Sequence, residues 1–324
     1  MDWREIVVKY PEANFLQSPE YGRMNEILGD KVVIDELGGL GYALMVVRNA
    51  KRGRYLEIAC GPLTDWSNAK DAKKILRRVA EIGKQEKCVF VRMRPQILAS
   101  SSNLNLLKEL GLKKSPMHLA AEHTVMIDLK LSEEALLAGM RRQTRYEVRR
   151  ADKIGITVEK SNSEAMFREF FQAQQATAKR QGFIPPSLKT LLAEREAFGD
   201  KIQIYVAKTA DGEPIAYGIL IASGAEGDYY EAASTELNRK LPGAYALLWQ
   251  AMRDLKKAGC ERFNLWGIAP AGQPNHRYAG VTTFKTGFGG EVIEYVPAHD
   301  LIIARARYLA DFAFETLRKK RRHL

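Results

Sequence analysis

The sequence predicts an α/β protein in which one unit of mixed sheet and covering helices occurs twice. Segments of alternating apolar and polar residues are interleaved with amphipathic segments of helical period, a pattern typical of a sheet covered by helices. A strand, an amphipathic helix and a second strand recur in the same order and spacing at residues 54–93 and 227–266. With 324 residues, the chain is long enough for two domains that each bury a core.

In the first half of the chain, the spacing of apolar residues and the capping residues predict three helices and five strands. The predicted strands are residues 31–35, 41–49, 54–60, 89–93 and 123–128. The predicted helices are residues 19–28, 68–86 and 104–110. Gly111 follows the third helix, where glycine is favoured because it adopts the left-handed conformation without strain. We assign residues 1–130 to a first domain, and completion of this domain by the C-terminal segment stays open.

The second half begins with a predicted helix over residues 132–154, which has Ser132 as its N-cap, acidic residues in its first turn and a break near Gly139. Further helices are predicted at residues 163–181, 187–198 and 244–258. Strands are predicted at residues 202–208, 214–223, 227–233 and 261–266. We assign residues 131–324 to a second domain, which contains the basic bridging helix 132–154 and a basic C-terminal helix.

The charge balance predicts an anionic partner, because lysine and arginine exceed aspartate and glutamate by 50 − 39 = 11. Nucleic acid, a phosphorylated small molecule and an anionic membrane surface are all compatible with this excess. Hydrophobic residues make up 46% of the chain, and no apolar run approaches the roughly 20 residues that span a bilayer. Since the amino terminus lacks a signal-peptide pattern, we expect a cytoplasmic protein.

The cysteines and histidines give no metal-ligand pattern. Cys60, Cys88 and Cys260 are isolated among apolar neighbours, which predicts buried free thiols. The five histidines show no spacing typical of a zinc site. We therefore expect no metal.

Two basic segments are candidates for contact with an anion. In the predicted helix 132–154, Arg141, Arg145 and Arg149 recur every four residues, and a second stripe combines Arg142, Arg149 and Lys153. These stripes suit a phosphate backbone or a diphosphate, and the alternative is a solvated linker helix. The amphipathic segment 304–324 ends in five basic residues and suits anionic lipid or nucleic acid, or it serves solubility alone.

The segment 264–290 places Lys285 beside Phe284 among four glycines. Glycines at such density indicate a close approach of the backbone or positive φ angles, both of which are common at binding sites. The alternative is a hairpin that carries a solvated lysine. Ligands of α/β sheets bind at the carboxyl ends of strands, and Trp266 and Gly267 follow such an end.

With these residues, the chain resembles the FemABX family of aminoacyl-tRNA-dependent peptidyl transferases, which build the interpeptide bridge of peptidoglycan. Four blocks occur in family order: Phe15 to Gly22, Gly61-Pro62, the basic helix that ends at Gly155, and the segment from Trp249 to Gly290 with Phe284-Lys285. The resemblance spans nearly the whole chain. It implies two tandem acetyltransferase-like (GNAT-type) domains in the compact form that lacks a coiled-coil arm.

The resemblance also implies the chemistry. The free amine of a stem-peptide residue attacks the ester carbonyl of an aminoacyl-tRNA, which is a co-substrate, and no other cofactor is expected. Lys285 would lie at the ester, Phe284 would shape the same place, and Glu231 is a candidate general base. The partners implied are aminoacyl-tRNA and a nucleotide-linked or lipid-linked peptidoglycan precursor, with contact to an anionic membrane, and we expect a monomer. Candidate substrate-binding residues are Tyr229, Arg23, Arg94, Arg180, Trp266 and Gly267, and candidate phosphate-binding residues are Arg141, Arg145 and Arg149.

The sequence departs from the family pattern at several precursor-binding positions. Asn264 replaces an aspartate, Arg94 replaces an acidic residue, and Pro186 replaces an arginine. The amino acid transferred and the form of the acceptor stay open. A GNAT-like N-acyltransferase with another amine acceptor and a non-catalytic RNA-binding protein are the alternatives. A coenzyme A enzyme would need a glycine-rich pyrophosphate loop where this chain has residues 238–244 with Pro242.

Overall fold

The computed structural model of the chain describes residues 2–51 and 53–322. The α-helices within these residues are α1 (Trp3–Lys9), α2 (Pro19–Leu28), α3 (Ala69–Gln85), α4 (Ser101–Glu109), α5 (Glu133–Gly139), α6 (Arg142–Lys153), α7 (Glu164–Gln181), α8 (Leu188–Phe198), α9 (Gly243–Lys257), α10 (Ala279–Thr286) and α11 (Arg305–Arg322). The strands are β1 (Lys31–Asp35), β2 (Gly41–Ala50), β3 (Gly53–Ile58), β4 (Leu63–Thr64), β5 (Cys88–Met93), β6 (Lys113–Lys114), β7 (His123–Asp128), β8 (Thr157–Ser161), β9 (Ile202–Lys208), β10 (Pro214–Ser223), β11 (Glu226–Ser234), β12 (Arg262–Asn264), β13 (Glu291–Glu294) and β14 (His299–Ile302).

The chain forms two compact units, each built on one mixed sheet. The first unit combines residues 1–122 with residues 294–324, and the second is residues 123–293. The strand order is β1-β2-β3-β5-β14-β6 in the first sheet, where β4 pairs with β2, and β13-β7-β12-β11-β10-β9-β8 in the second. The predicted boundary lay after residue 130. The structure instead places β7 in the second sheet, where it pairs with β12, and the C-terminal segment in the first unit, where β14 pairs with β5.

The predicted repeat is present, because each unit contains two parallel strands joined by a long amphipathic helix. In the first unit α3 connects β3 to β5, and in the second α9 connects β11 to β12. Each helix buries one apolar stripe at helical spacing, which is what packs it onto its sheet. The buried residues are Ile75, Leu76, Val79 and Ile82 in α3, and Leu247, Leu248, Ala251, Met252 and Leu255 in α9.

Two local predictions have different outcomes. The break near Gly139 is confirmed, because α5 ends there and Met140 is extended before α6 begins. The hairpin considered for the segment around Lys285 is wrong, because this residue lies in helix α10. Gly289 and Gly290 follow that helix with φ angles of 85° and 82°, and a Cβ on Gly290 would collide with the carbonyl oxygen of Met126. These two glycines therefore turn the chain from α10 into β13.

The three cysteines are buried and free, as predicted. Among the described residues, no group of three or more histidine, cysteine, aspartate or glutamate side chains is arranged to hold a metal ion. None of the helices described is both long enough and apolar enough to cross a membrane.

A buried ion cluster holds the C-terminal helix on the first unit. Arg92 on β5 is 3% exposed and donates two hydrogen bonds to Asp300 on β14, at 2.8 and 2.9 Å. The same guanidinium donates to Glu315 on α11 at 3.1 and 2.8 Å. Tyr308 of α11 also donates to Asp300 at 3.1 Å. One arginine therefore connects two strands to the last helix.

We expect Arg92→Met to destabilise the first unit strongly. The substitution leaves Asp300 buried without its ion partner, and breaking a buried pair in this way costs about 3–5 kcal/mol. Urea denaturation of the whole chain measures the effect. The matched control is Arg78→Met, which removes a 44% exposed partner of Asp35 and should change stability far less, because exposed ion pairs contribute little. Equal effects of the two substitutions would contradict a structural role for the cluster.

Candidate active site

In the second sheet, the parallel strands β11 and β12 separate after a short paired segment. β11 and β12 pair through only three residues each, from Glu226–Arg262 to Asp228–Asn264. β12 then ends, whereas β11 continues to Ser234. We call the opening between residues 229–234 and residues 265–268 the strand gap. Unpaired backbone groups at a strand edge can hydrogen-bond a ligand.

A β-bulge in β11 puts Tyr229 and Glu231, which are two residues apart, on opposite faces of the sheet at the strand gap. Glu231 pairs with Ile219 and Tyr229 pairs with Leu220, so Tyr230 is the extra residue. Residues two apart normally share a face, but here the bulge separates them. Tyr229 lies with Leu220 in the core beneath α9, and Glu231 lies on the face covered by α7 and α8.

Tyr230 and Trp266 face each other across the strand gap. Their ring centroids are 5.7 Å apart and their planes meet at 81°. Trp266 has a φ of 61°, a left-handed conformation that is strained for a non-glycine residue. The Asn264 side chain holds this turn by accepting a hydrogen bond from the Trp266 N–H at 2.9 Å. The departure from the family pattern at Asn264 thus lies in a residue that shapes the gap.

Helix α10 places Lys285 at the same opening. The residue is only 8% exposed, and its Nζ donates to the carbonyl oxygen of Gly267 at 2.9 Å. Nζ also lies 5.8 Å from the centroid of the Tyr229 ring. Burial lowers the pKa of Lys285 from 10.5 to about 7, because the charged amine loses its water without gaining a carboxylate. Burial also raises the pKa of the Tyr229 hydroxyl.

Phe284 fixes α10 against α9. Its ring lies 5.0 Å from that of Tyr245 on α9 and 5.2 Å from that of Phe288, both in edge-to-face geometry. Edge-to-face pairs are favoured over face-to-face stacks and add to the burial of the rings. Phe284 therefore sets the position of the adjacent Lys285.

Glu231 does not accompany Lys285 but forms a separate polar cluster. It accepts a hydrogen bond from Gln174 of α7, and Glu194 of α8 is its charged neighbour. Burial raises the pKa of Glu231 to about 7, although the Gln174 bond acts in the opposite direction. Burial and the nearby Glu231 raise the pKa of Glu194 further above its usual range. Carboxyl groups whose pKa values are raised in this way can take up protons near neutral pH.

Two of the three predicted phosphate-binding arginines bind backbone carbonyls instead. Arg141 donates to Thr283 in α10, and Arg145 donates to Ala138 and Met140 at the end of α5, both at 2.8 Å. Their charges stabilise helix C-termini, where carbonyls lack partners. Arg149 is exposed. The second stripe, Arg142, Arg149 and Lys153, is exposed throughout and is the one that can reach a phosphate backbone.

The remaining predicted arginines are two residues of the first unit and one residue of α7. Arg23 is exposed on α2 in the first unit. Arg94, also in the first unit, is 1% exposed, and its Nε and Nη1 have no hydrogen-bond partner among the described residues. Arg180 on α7 donates to the Ser234 carbonyl and pairs with Glu236 at 3.1 Å. The structure therefore brings together Lys285, Phe284, Tyr229, Trp266 and Gly267.

Sequence reasoning missed the residues that depend on the bulge and on the packing of α7 and α8. Tyr230 was not singled out, because its position across from Trp266 depends on one extra residue in a strand. Gln174 and Glu194 lie on helices that look amphipathic, and each occupies a buried position. Polar residues on the apolar face of a predicted helix were the available signal.

We expect Lys285→Met to raise thermal stability at neutral pH. The folded state holds the lysine at a pKa of about 7 and the unfolded chain at about 10.5, so only the unfolded chain binds the proton between these values. The advantage of the variant should be largest at pH 7 and below and should fall by about 1.4 kcal/mol for each pH unit towards 10.5. Calorimetry from pH 6 to 10 measures it, with the exposed Lys257→Met as the control. A pH-independent difference would show that Lys285 is hydrated.

Comparisons with known proteins agree on the family and the fold. A FemAB family profile matches residues 3–115, 110–213 and 202–315. The lipid II:glycine glycyltransferase of Staphylococcus saprophyticus is 26% identical over 194 residues, which are 55% of this chain and 46% of that protein. This chain thus spans about half the length of that relative.

Two solved structures share the architecture. The crystal structure of FemX superposes with a TM-score of 0.83 at 17% identity, over 95% of this chain and 96% of that chain. A tandem GNAT protein from the clavulanic acid biosynthesis pathway gives 0.50 at 10% identity, over 82% of this chain and 79% of that one. These likenesses confirm the predicted fold of two tandem acetyltransferase-like units. Since the family profile covers both units almost from end to end, the chain belongs to the FemAB family.

Proposed function

We propose that this protein transfers an amino acid from aminoacyl-tRNA to the amine of a peptidoglycan precursor. The observation that carries the proposal is the buried Lys285 at the strand gap, which has a Tyr229 ring and the Gly267 carbonyl as its neighbours. The names of relatives support the same reaction class, since one is a lipid II:glycine glycyltransferase and another is the aminoacyltransferase FemA of Staphylococcus aureus.

The chemistry suits a site without a nucleophilic side chain. The ester of an aminoacyl-tRNA is already activated, so a positioned amine can attack its carbonyl directly. The new C–N bond forms as the C–O bond to the ribose breaks, and negative charge develops first on the carbonyl oxygen. A protonated Lys285 in a site with little water stabilises that charge strongly. Binding of the ester raises the pKa of this lysine as charge develops.

The start of α9 favours a donor other than an acyl-coenzyme A. Coenzyme A enzymes of this fold bind pyrophosphate with the backbone N–H groups at the corresponding helix start. Here Pro242 has no N–H, and the N–H of Ala244 donates to the Asn238 side chain at 3.1 Å. Gly243 packs directly on Ile215. Side chains of the protein therefore occupy the start of α9, where pyrophosphate would bind. By contrast, the exposed stripe of Arg142, Arg149 and Lys153 on α6 offers positive charge for a nucleic-acid backbone.

Helix α11 supports a membrane-linked acceptor. It carries exposed apolar residues, Leu309 at 52%, Phe314 at 43% and Leu317 at 59%, together with basic residues towards its end. Such a helix can lie in the interface of an anionic bilayer. This surface would bring the protein to a lipid-linked precursor in preference to a nucleotide-linked one.

The transfer reaction is tested with labelled amino acids on a mixed pool of charged tRNAs, offered to nucleotide-linked and lipid-linked pentapeptide precursors. Wild-type protein should transfer label and release tRNA, and Lys285→Met should be slower by roughly 10²- to 10³-fold, the usual effect of removing a donor to an oxyanion. Lys257→Met, on the exposed side of α9, should keep the wild-type rate. Tight tRNA binding without transfer to either precursor would support the RNA-binding alternative.

Membrane contact is tested by sedimentation with vesicles. The protein should bind vesicles that contain anionic phosphatidylglycerol and not neutral phosphatidylcholine vesicles, and binding should weaken as salt rises because the attraction is screened. Replacing Leu309 and Leu317 by serine should reduce binding, since both side chains are exposed and packing on the unit is kept. Equal binding to the two vesicle types would contradict the proposed surface.

A further inference from the structure

A second polar cluster lies on the face of the sheet opposite to Lys285. We call Gln174, Glu194 and Glu231 the carboxyl cluster. Gln174 of α7 donates its Nε2 hydrogen to Glu231 of β11, and Glu194 of α8 approaches the same carboxyl group. Gln174 is 3% exposed and Glu194 is 2% exposed. Three elements thus converge on one point.

Two buried oxygen atoms of the carboxyl cluster have no hydrogen-bond partner among the described residues. Within the described part of the chain, Gln174 Oε1 and Glu194 Oε2 are buried without a hydrogen-bond partner. A buried polar atom that lacks a partner costs about 1–3 kcal/mol, so such atoms usually have a function. Gln174 Oε1 can only accept, and Glu194 Oε2 accepts when the proton of that carboxyl group lies on its other oxygen; the nearest charged side chain in the cluster is an acid. The missing partner is therefore a hydrogen-bond donor, and a cation matches the charge.

The cluster borders the strand gap from the side of α7 and α8. Glu231 follows Tyr230 directly in the chain, and the Tyr230 ring lies against Trp266 across the gap. Tyr229 and Lys285 border the gap from the side of α9 and α10. The bulge thus gives one opening an acidic group on one face and a basic group on the other.

We propose that the carboxyl cluster is the binding site of the acceptor amine, which approaches from the α7 and α8 face as an ammonium ion and gives its proton to Glu231. The proposal rests on the transfer reaction proposed above and names the residues that would recognise its second substrate. A primary ammonium group has three hydrogens, which suit Glu231, Glu194 Oε2 and Gln174 Oε1.

The proton balance follows from the two carboxyl groups. Burial and the nearby Glu231 keep Glu194 protonated, while Glu231, with a pKa raised to about 7, ionises near neutral pH. The pair then carries one negative charge against one ammonium. Glu231 accepts one proton, the neutral amine attacks the ester carbonyl, and the second proton lost by the attacking nitrogen goes to the leaving ribose oxygen as the C–O bond breaks. Two other charged groups of α7 have partners of their own: Glu169 accepts from Tyr217 at 2.7 Å, and Arg180 pairs with Glu236.

The first test measures binding of two peptides without tRNA. One pentapeptide has a single free lysine amine and a blocked amino terminus, and the other has that lysine acetylated. Wild-type protein should prefer the free amine by roughly 10-fold or more, since charge-assisted hydrogen bonds are the strong ones. Glu231→Gln, which keeps the shape and removes the charge, should lose the preference. Glu169→Gln, on the same face but bonded to Tyr217, should keep it. Equal binding of the peptides by wild-type protein, or an unchanged preference in Glu231→Gln, would overturn the proposal.

The second test is the pH profile of transfer. With Glu231 as the base, the wild-type rate should fall as the pH drops below about 7, because the carboxylate becomes protonated. Glu231→Gln should lack this acid limb and be slower by roughly 10²-fold or more, as is usual for loss of a general base. A wild-type acid limb that persists in Glu231→Gln would reject Glu231 as the base. If the wild-type protein transfers nothing but still prefers the free amine, the transfer reaction fails and the amine site stands.

Discussion

The short pairing of β11 with β12 is the constraint on which the site depends. Three residue pairs hold the strands together, and beyond Asp228 and Asn264 the sheet cannot close. The bulge at Tyr230 and the left-handed turn at Trp266 stand on the two sides of this opening. Both deviate from regular strand geometry, and such deviations persist only where the surrounding packing determines them. The apolar core under α9 provides that support.

Desolvation accounts for the chemistry of the opening. Lys285 is surrounded by aromatic rings and a backbone carbonyl rather than by carboxylates, so its charge is held weakly in the folded protein. A charge of this kind responds strongly to negative charge that develops nearby. The basic stripes of α6 divide in a similar way: Arg141 and Arg145 hold helix ends, and Arg142 and Arg149 remain at the surface. Hydrogen bonds to helix-end carbonyls therefore separate structural cations from cations that can act on a ligand.

The sequence predicted the features that depend on the spacing of apolar residues and on capping and turn residues. The repeat around α3 and α9, the break at Gly139 and the free cysteines were readable because apolar spacing and capping residues are local. The prediction of Lys285 as a site residue depended on the density of glycines around it and on the family resemblance. The structure shows in addition that this lysine is buried. The bulge was not readable, since one phase shift within a short strand cannot be told from irregular alternation. The membership of β7 and β14 in their sheets also required tertiary pairing, because each strand lies far in sequence from its partner.

The central claim is that Lys285 is a desolvated amine that responds to negative charge in the strand gap. NMR titration of protein with ¹³C-labelled lysine side chains, with Lys285→Met to assign the signal, measures this directly. The account predicts a pKa of about 7 in the free protein and a rise when an aminoacyl phosphonate of adenosine, an analogue of the tetrahedral intermediate, is added. A pKa near 10.5 that the analogue does not change would contradict the account.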